Sequence, residues 1–188
     1  FDRLLARLAE PGTVLRLAAL VVCAMELVSA GAALLGARTE PYDGLVARAW
    51  RAAGLRLVHL ELADYGRRPA MPATILQALR GAVTSVGMSA SEWATIVGGE
   101  PTGPALRAFA ERHALGRVCV HADEWALSVV RGDTGRERTA LVAGCLLAAA
   151  RAEAGEPVVP TGLPRDARLG PVPPSETLGD GWTAVGCP

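Results

Sequence analysis

The chain has 188 residues, with 19 Lys+Arg against 19 Asp+Glu, a formal net charge of +0, 51% hydrophobic residues and only 4% aromatic ones. That describes one domain able to bury a real core, and it leaves no basic field for nucleic acid and no polybasic surface for anionic lipid. All 19 Lys+Arg residues are Arg, since no Lys occurs, and there is no Asn either; Schiff-base chemistry and a P-loop lysine are therefore excluded and any phosphate must be met by Arg, metal or backbone N–H. Cys23, Cys119, Cys145 and Cys187 are widely spaced with no C-x-x-C pair, which excludes a zinc ribbon and predicts reduced, mostly buried thiols. No secretory leader and a cytoplasmic setting are expected, and the opening Phe1 suggests a piece of a longer protein or a processed product.

In chain order, Leu17–Cys23 reads as a buried strand, because the apolar run from Leu17 to Met25 is bracketed by Arg16 and Glu26 and is too short to span a bilayer. Tyr42–Ala53 follows as a helix after Pro41, Leu55–Leu62 as a second strand and Pro72–Arg80 as a helix. Ala82–Ser85 reads as a short strand, and Ser89–Val97 as a helix with Ser89 as N-cap and Glu92 three residues on, the spacing of a capping box. Pro104–His113 is helical, Arg117–His121 and Ala126–Val130 are strands, and Glu137–Glu153 is the longest helix, stopped by Gly155 and Pro157. Residues 157–174 are Pro- and Gly-rich and read as a connecting loop, and Ser175 to Pro188 reads as the N-terminal end of a helix. This alternation predicts an α/β domain of three layers with a mainly parallel sheet.

In such sheets ligands sit beyond the carboxyl ends of the strands. Within Val58-His59-Leu60-Glu61-Leu62, alternation puts His59 and Glu61 on one side of an otherwise apolar strand. A Glu there needs a partner, a metal or the solvated face of an edge strand. Glu92 falls in the first turn of its helix, where a capping role already accounts for it. In Thr177-Leu178-Gly179-Asp180-Gly181, successive N–H groups could form an anion hole beside a carboxylate base, and a plain turn fits the same residues.

Taken in order, these segments resemble the C-terminal half of the ADP-dependent sugar kinases, the glucokinase and phosphofructokinase family with a ribokinase-like fold. The string His59-Leu60-Glu61-Leu62-Ala63 is similar to that family's His-x-Glu strand. Val83 to Met88 followed by Glu92 resembles the segment leading into its Asn-x-x-Glu motif, and Thr177-Leu178-Gly179-Asp180 falls where it has Gly-x-Gly-Asp. Val118 to His121 resembles a strand with a histidine on the nucleotide side, and Ala143 to Gly155 the helix that follows.

The resemblance implies one ribokinase-like domain over residues 1–188, the C-terminal portion of a kinase that transfers the β-phosphoryl group of ADP to glucose or fructose 6-phosphate in glycolysis, leaving AMP. Mg²⁺ is the implied cofactor, held by Glu61, Glu92 and Asp180. Asp180 is the implied catalytic base, the backbone of Leu178, Gly179 and Asp180 the implied anion hole, and His121 and Leu169 the residues bordering the nucleotide. Ser89, Ala90 and Thr177 stand where the family has Asn, an acidic residue and Gly. Two alternatives therefore stay open: a catalytically degenerate nucleotide-binding remnant, and an ATP-dependent carbohydrate kinase of the ribokinase type.

Overall fold

The computed structural model describes residues 50–156 and 172–188, apart from 53, 56, 67 and 69. The expected Leu17–Cys23 strand, Cys23, Leu169 and most of the 157–174 loop lie outside the described residues. The described strands are β1 (His59–Glu61), β2 (Ser85–Ser89), β3 (Arg117–His121), β4 (Ala126–Arg131), β5 (Glu176–Gly179) and β6 (Trp182–Cys187), and the helices are α1 (Met71–Ala78), α2 (Ala90–Ile96), α3 (Gly103–His113) and α4 (Thr134–Ala154). The strands form one sheet in the order β1-β2-β3-β4-β6-β5. By contacts, the chain divides into two compact units, Phe1–Val86 with His113–Leu115 and Gly87–Arg112 with Gly116–Pro188, and the division falls within β2.

In the first unit, β1 is shorter than the predicted Leu55–Leu62 strand. Val58, Leu60 and Leu62 are buried while His59 and Glu61 are half-buried, the period-2 alternation that the sequence predicts. The Val58 carbonyl accepts from the N–H groups of Thr84 and Ser85 at 3.0 and 3.1 Å, and the Val58 N–H donates to Thr84 Oγ1 at 3.0 Å. Helix α1 carries Pro72 in its first turn, where a missing N–H costs nothing, and buries Pro72, Ile75 and Leu76. The short strand predicted at Ala82–Ser85 is displaced. Ala82 and Val83 fold back as a turn with their N–H groups on the Leu79 carbonyl, and pairing starts at Ser85.

In the second unit the antiparallel ladder β3-β4-β6-β5 is the frame. Cys119 pairs with Ser128, which pairs with Val185; Val120 pairs with Leu127, which pairs with Gly186. Both sheet faces are buried: Val118, Val120, Leu127, Val129 and Ala184 on one, Cys119, Ala126, Val185 and Cys187 on the other. Helix α4 covers the second face, where Leu141 and Cys145 pack on Cys119, Ala126, Val185 and Cys187. Helix α3 covers the first: a Cβ on Gly103 would lie 3.0 Å from that of Ala184 and 2.7 Å from Glu176 Oε1, so a glycine is what lets the helix approach this closely. Helix–sheet–helix layering on the α/β plan agrees with the sequence. The sheet itself is mixed, because every pairing among β3, β4, β6 and β5 is antiparallel. Tight connections cause this: only four residues separate β3 from β4 and two separate β5 from β6, far fewer than a parallel crossover needs.

Side chains terminate the helices as the sequence predicts. Ser89 and Glu92 form the reciprocal capping box of α2. Asp133 caps α4 by accepting from the N–H groups of Gly135 and Arg136 at 3.0 and 3.1 Å, and Gly155 closes it in the left-handed conformation at φ 74°. Arg117 of β3 reaches the buried Glu137 of α4, its Nε lying 2.8 and 2.9 Å from the two carboxylate oxygens. Among the described residues no helix is long and apolar enough to cross a membrane.

Trp93 of α2 is fully buried, with its ring 5.8 Å from that of Phe109 at 57°, and its indole N–H has no hydrogen-bond partner among the described residues. Trp93→Ala is expected to cost about 3–5 kcal/mol in urea unfolding. Trp93→Phe is expected to cost clearly less, because it keeps most of the volume and removes the unpaired donor.

The three described cysteines are free thiols, with Cys119 and Cys187 buried as the sequence predicts and Cys145 half-buried. Burial, reinforced by the neighbouring Cys145 thiol, pushes Cys187 up to about 11. An unfolded thiol ionises near about 8.5, so the unfolded chain loses this proton first as pH rises. The contribution is fully present below about pH 8.5 and is lost on approach to about pH 11. Thermal melts over that window are expected to fall less steeply in Cys187→Ala than in the parent protein.

Candidate functional site

The residues singled out by the sequence occupy three local arrangements, built on β1, on the start of α2, and on the turn between β5 and β6.

At β1, His59 bridges two groups. Its Nδ1 lies 2.8 Å from the buried Ser85 Oγ and its Nε2 lies 3.1 Å from Glu61 Oε2. The shared side of the strand thus gives Glu61 the partner that a half-buried carboxylate requires. Ser85 is absent from the sequence reading of this group. Its only sequence signal is a polar residue opening an apolar run, and its partner stands 26 positions away.

At α2, Glu92 Oε2 accepts from the Ser89 N–H at 2.6 Å while the Glu92 N–H donates to Ser89 Oγ at 3.2 Å. The carboxylate is therefore folded back on its own helix end, where it satisfies an otherwise unpaired N–H and meets the positive end of the helix dipole.

The third arrangement corrects an expectation. Ser175 to Pro188 does not begin a helix: it is the β5–β6 hairpin. Asp180 and Gly181 form its two-residue loop with φ of 51° and 78°, the two positive values that a primed hairpin turn demands, and Asp-Gly is a favoured pair for it. Thr177, standing where the resembled family has Gly, pairs with Thr183 inside the ladder, a place that suits a β-branched residue. Trp182, Ala184, Val185 and Cys187 bury their side chains, which a helix over the same residues would not do on one face. The residues expected to form an anion hole at a helix mouth, Leu178, Gly179 and Asp180, thus lie on a hairpin turn, with a register shift between Thr177 and Gly179.

Arg107 of α3 holds that turn. Its Nη1 donates to the Leu178 carbonyl and, at 3.4 Å, to that of Gly179. Its Nη2 lies 2.6 Å from Asp180 Oδ2, and its Nε lies 2.9 Å from Glu111 Oε1. Asp180's hydrogen bond first, then that of Glu111, raises the guanidinium above its ordinary pKa. The sequence reading missed Arg107. The Arg107–Glu111 spacing of four is visible in the sequence, but the approach to Asp180 spans 73 positions. His121 ends β3 and is exposed.

The carboxylates of Glu61, Glu92 and Asp180 are hard oxygen donors of the kind Mg²⁺ takes alongside retained waters. In each, one oxygen is engaged by a protein group: His59 for Glu61, the Ser89 N–H for Glu92 and Arg107 for Asp180. Among the described residues, no three or more His, Cys, Asp and Glu side chains gather as a ready-made metal cluster.

No family model matches the sequence, and no curated protein matches it. Solved structures do. The last common ancestor of ADP-dependent phosphofructokinases from Methanosarcinales aligns with a TM-score of 0.52 at 19% identity, over 63% of this chain and 29% of that one. A hypothetical ADP-dependent phosphofructokinase from Pyrococcus horikoshii OT3 aligns at 0.48 with 20% identity, over 62% and 30% of the two chains. A phosphofructokinase from the same organism, solved with AMP, aligns at 0.47 with 18% identity, again over 62% and 30%. The chain spans less than a third of the length of each. Its α/β fold is shared with that of the ancestral ADP-dependent phosphofructokinase, the ribokinase-like plan that the motifs imply.

Proposed function

We propose that this chain is the nucleotide-handling, C-terminal part of an ADP-dependent sugar kinase. The complete protein transfers the β-phosphoryl group of ADP to a hydroxyl of glucose or fructose 6-phosphate and releases AMP, in cytoplasmic glycolysis. The observation that supports this reading is the shared fold combined with motif order: Glu61 closes β1, Glu92 follows β2, and Asp180 sits at the tip of the last hairpin.

Phosphoryl transfer asks little covalent chemistry of the protein and much positioning and charge neutralisation. In this reading the Asp180 carboxylate takes the proton of the attacking sugar hydroxyl as its oxygen bonds to the β-phosphorus, and the bond to the oxygen shared with the α-phosphate breaks. The backbone N–H groups of Leu178, Gly179 and Asp180 would stabilise the charge on the transferred group, and His121 and Leu169 would border the nucleotide. Glu61, Glu92 and Asp180 would hold Mg²⁺, directly or through its waters. When bound, the ion supplies charge neutralisation on the phosphate oxygens.

One observation favours the second reading, a degenerate nucleotide-binding remnant: the Leu178 and Gly179 carbonyls, and not a helix end, are what this turn presents to Arg107. Turnover by the complete protein decides between them, with ADP and with ATP against a small panel of sugars. Mg²⁺-dependent formation of AMP and a sugar phosphate supports the kinase, ATP-only turnover the ribokinase-type alternative, and nucleotide binding without turnover the remnant.

Asp180→Asn is expected to lower turnover by about a hundredfold or more with nucleotide affinity little changed. A parental rate in that variant would remove the catalytic assignment. Glu92→Gln keeps a side-chain oxygen for the cap, so its melting temperature is expected to stay near the parental value while the Mg²⁺ concentration needed for half-maximal nucleotide binding rises.

A further inference from the structure

Four groups converge on one guanidinium: the Asp180 carboxylate, the Leu178 and Gly179 carbonyls, and Glu111, with Glu111 coming from the arginine's own helix. An exposed ion pair alone is worth little, and the Asp180 carboxylate is largely exposed. The geometry here is different in kind. The planar fork of Arg107 engages a backbone carbonyl with one arm and the carboxylate of the next turn residue but one with the other, so it restrains the direction of the side chain relative to the backbone that carries it. Asp180 has a left-handed φ of 51°, uncommon for a residue other than glycine, and an external clamp on this turn opposes relaxation out of it. The base of that clamp is rigid. Arg107 stands one turn into a helix whose Leu106, Phe109 and Ala110 are buried and whose Gly103 abuts Ala184 and Glu176 of the same hairpin.

We propose that Arg107 is the positioning residue for Asp180, setting the direction in which the carboxylate points. The inference rests on the kinase reading above, in which Asp180 accepts a proton. Arg107 touches no reacting atom in this scheme and acts through Asp180 alone.

The test uses the complete protein and three variants, Arg107→Gln, Arg107→Lys and Asp180→Asn. Arg107→Gln is expected to lower kcat by roughly tenfold with KM for the nucleotide near parental. Arg107→Lys keeps the charge and loses the fork, so it is expected to leave kcat well below the parental value. A lowered melting temperature with parental kcat in Arg107→Gln would mean that Arg107 only braces the hairpin, and would overturn the inference alone. If Asp180→Asn turns over at the parental rate, the kinase reading of Asp180 fails, and the inference with it.

Discussion

Everything in the second unit depends on β4 having a hydrogen-bonded neighbour along both edges. Its residues pair with β3 from Arg117↔Val130 to His121↔Ala126, and with β6 from Ala126↔Cys187 to Arg131↔Trp182. A strand satisfied on both edges can bury its backbone, and here it buries both faces as well, which is why Ala126, Leu127, Ser128 and Val129 are all inaccessible. Two helical layers are then required. Helix α4 meets one face through Leu141, and α3 meets the other through a glycine.

That arrangement carries the hairpin, and the hairpin carries the turn. Because β6 is locked to β4 along its length, the Asp180-Gly181 loop projects from a rigid edge, and α3, packed on the same hairpin, delivers Arg107 to it. Similar logic holds at Gly186, where a Cβ would fall 1.8 Å from the Pro173 carbonyl oxygen. The segment leading into β5 lies flat against β6 there, and the Ser175 hydroxyl accepts the Gly186 N–H at 3.0 Å.

The functional reading draws on different physics. Glu61, Glu92 and Asp180, the carboxylates that the proposed function assigns to a metal, each already have a protein partner: a histidine, a helix cap and a guanidinium. Each of these contacts engages a single carboxylate oxygen. The α/β fold is shared with that of the ancestral ADP-dependent phosphofructokinase, while the turn at Asp180 has a local conformation set by its own Thr177 and Asp-Gly residues.

The sequence by itself determined what depends on neighbours along the chain. The β3 and β4 strands start where apolar alternation places them, α3 and α4 lie within a few residues of their predicted ends, the Ser89–Glu92 box forms, and His59 and Glu61 share a side because a strand has period two. The α/β plan follows from that alternation of elements. Tertiary structure decided what depends on partners far away in sequence. The direction of β4, β5 and β6, the start of β2, Ser85 on His59, Glu137 on Arg117 and Arg107 on Asp180 all rest on groups brought together across 20 to 73 positions. The end of the chain shows the limit most clearly. Residues 175–188 resemble a motif that opens a helix, yet left-handed Asp180 and Gly181 and the open edge of β4 make a hairpin the state that satisfies the backbone, and an edge awaiting a partner cannot be read from the residues that will pair with it.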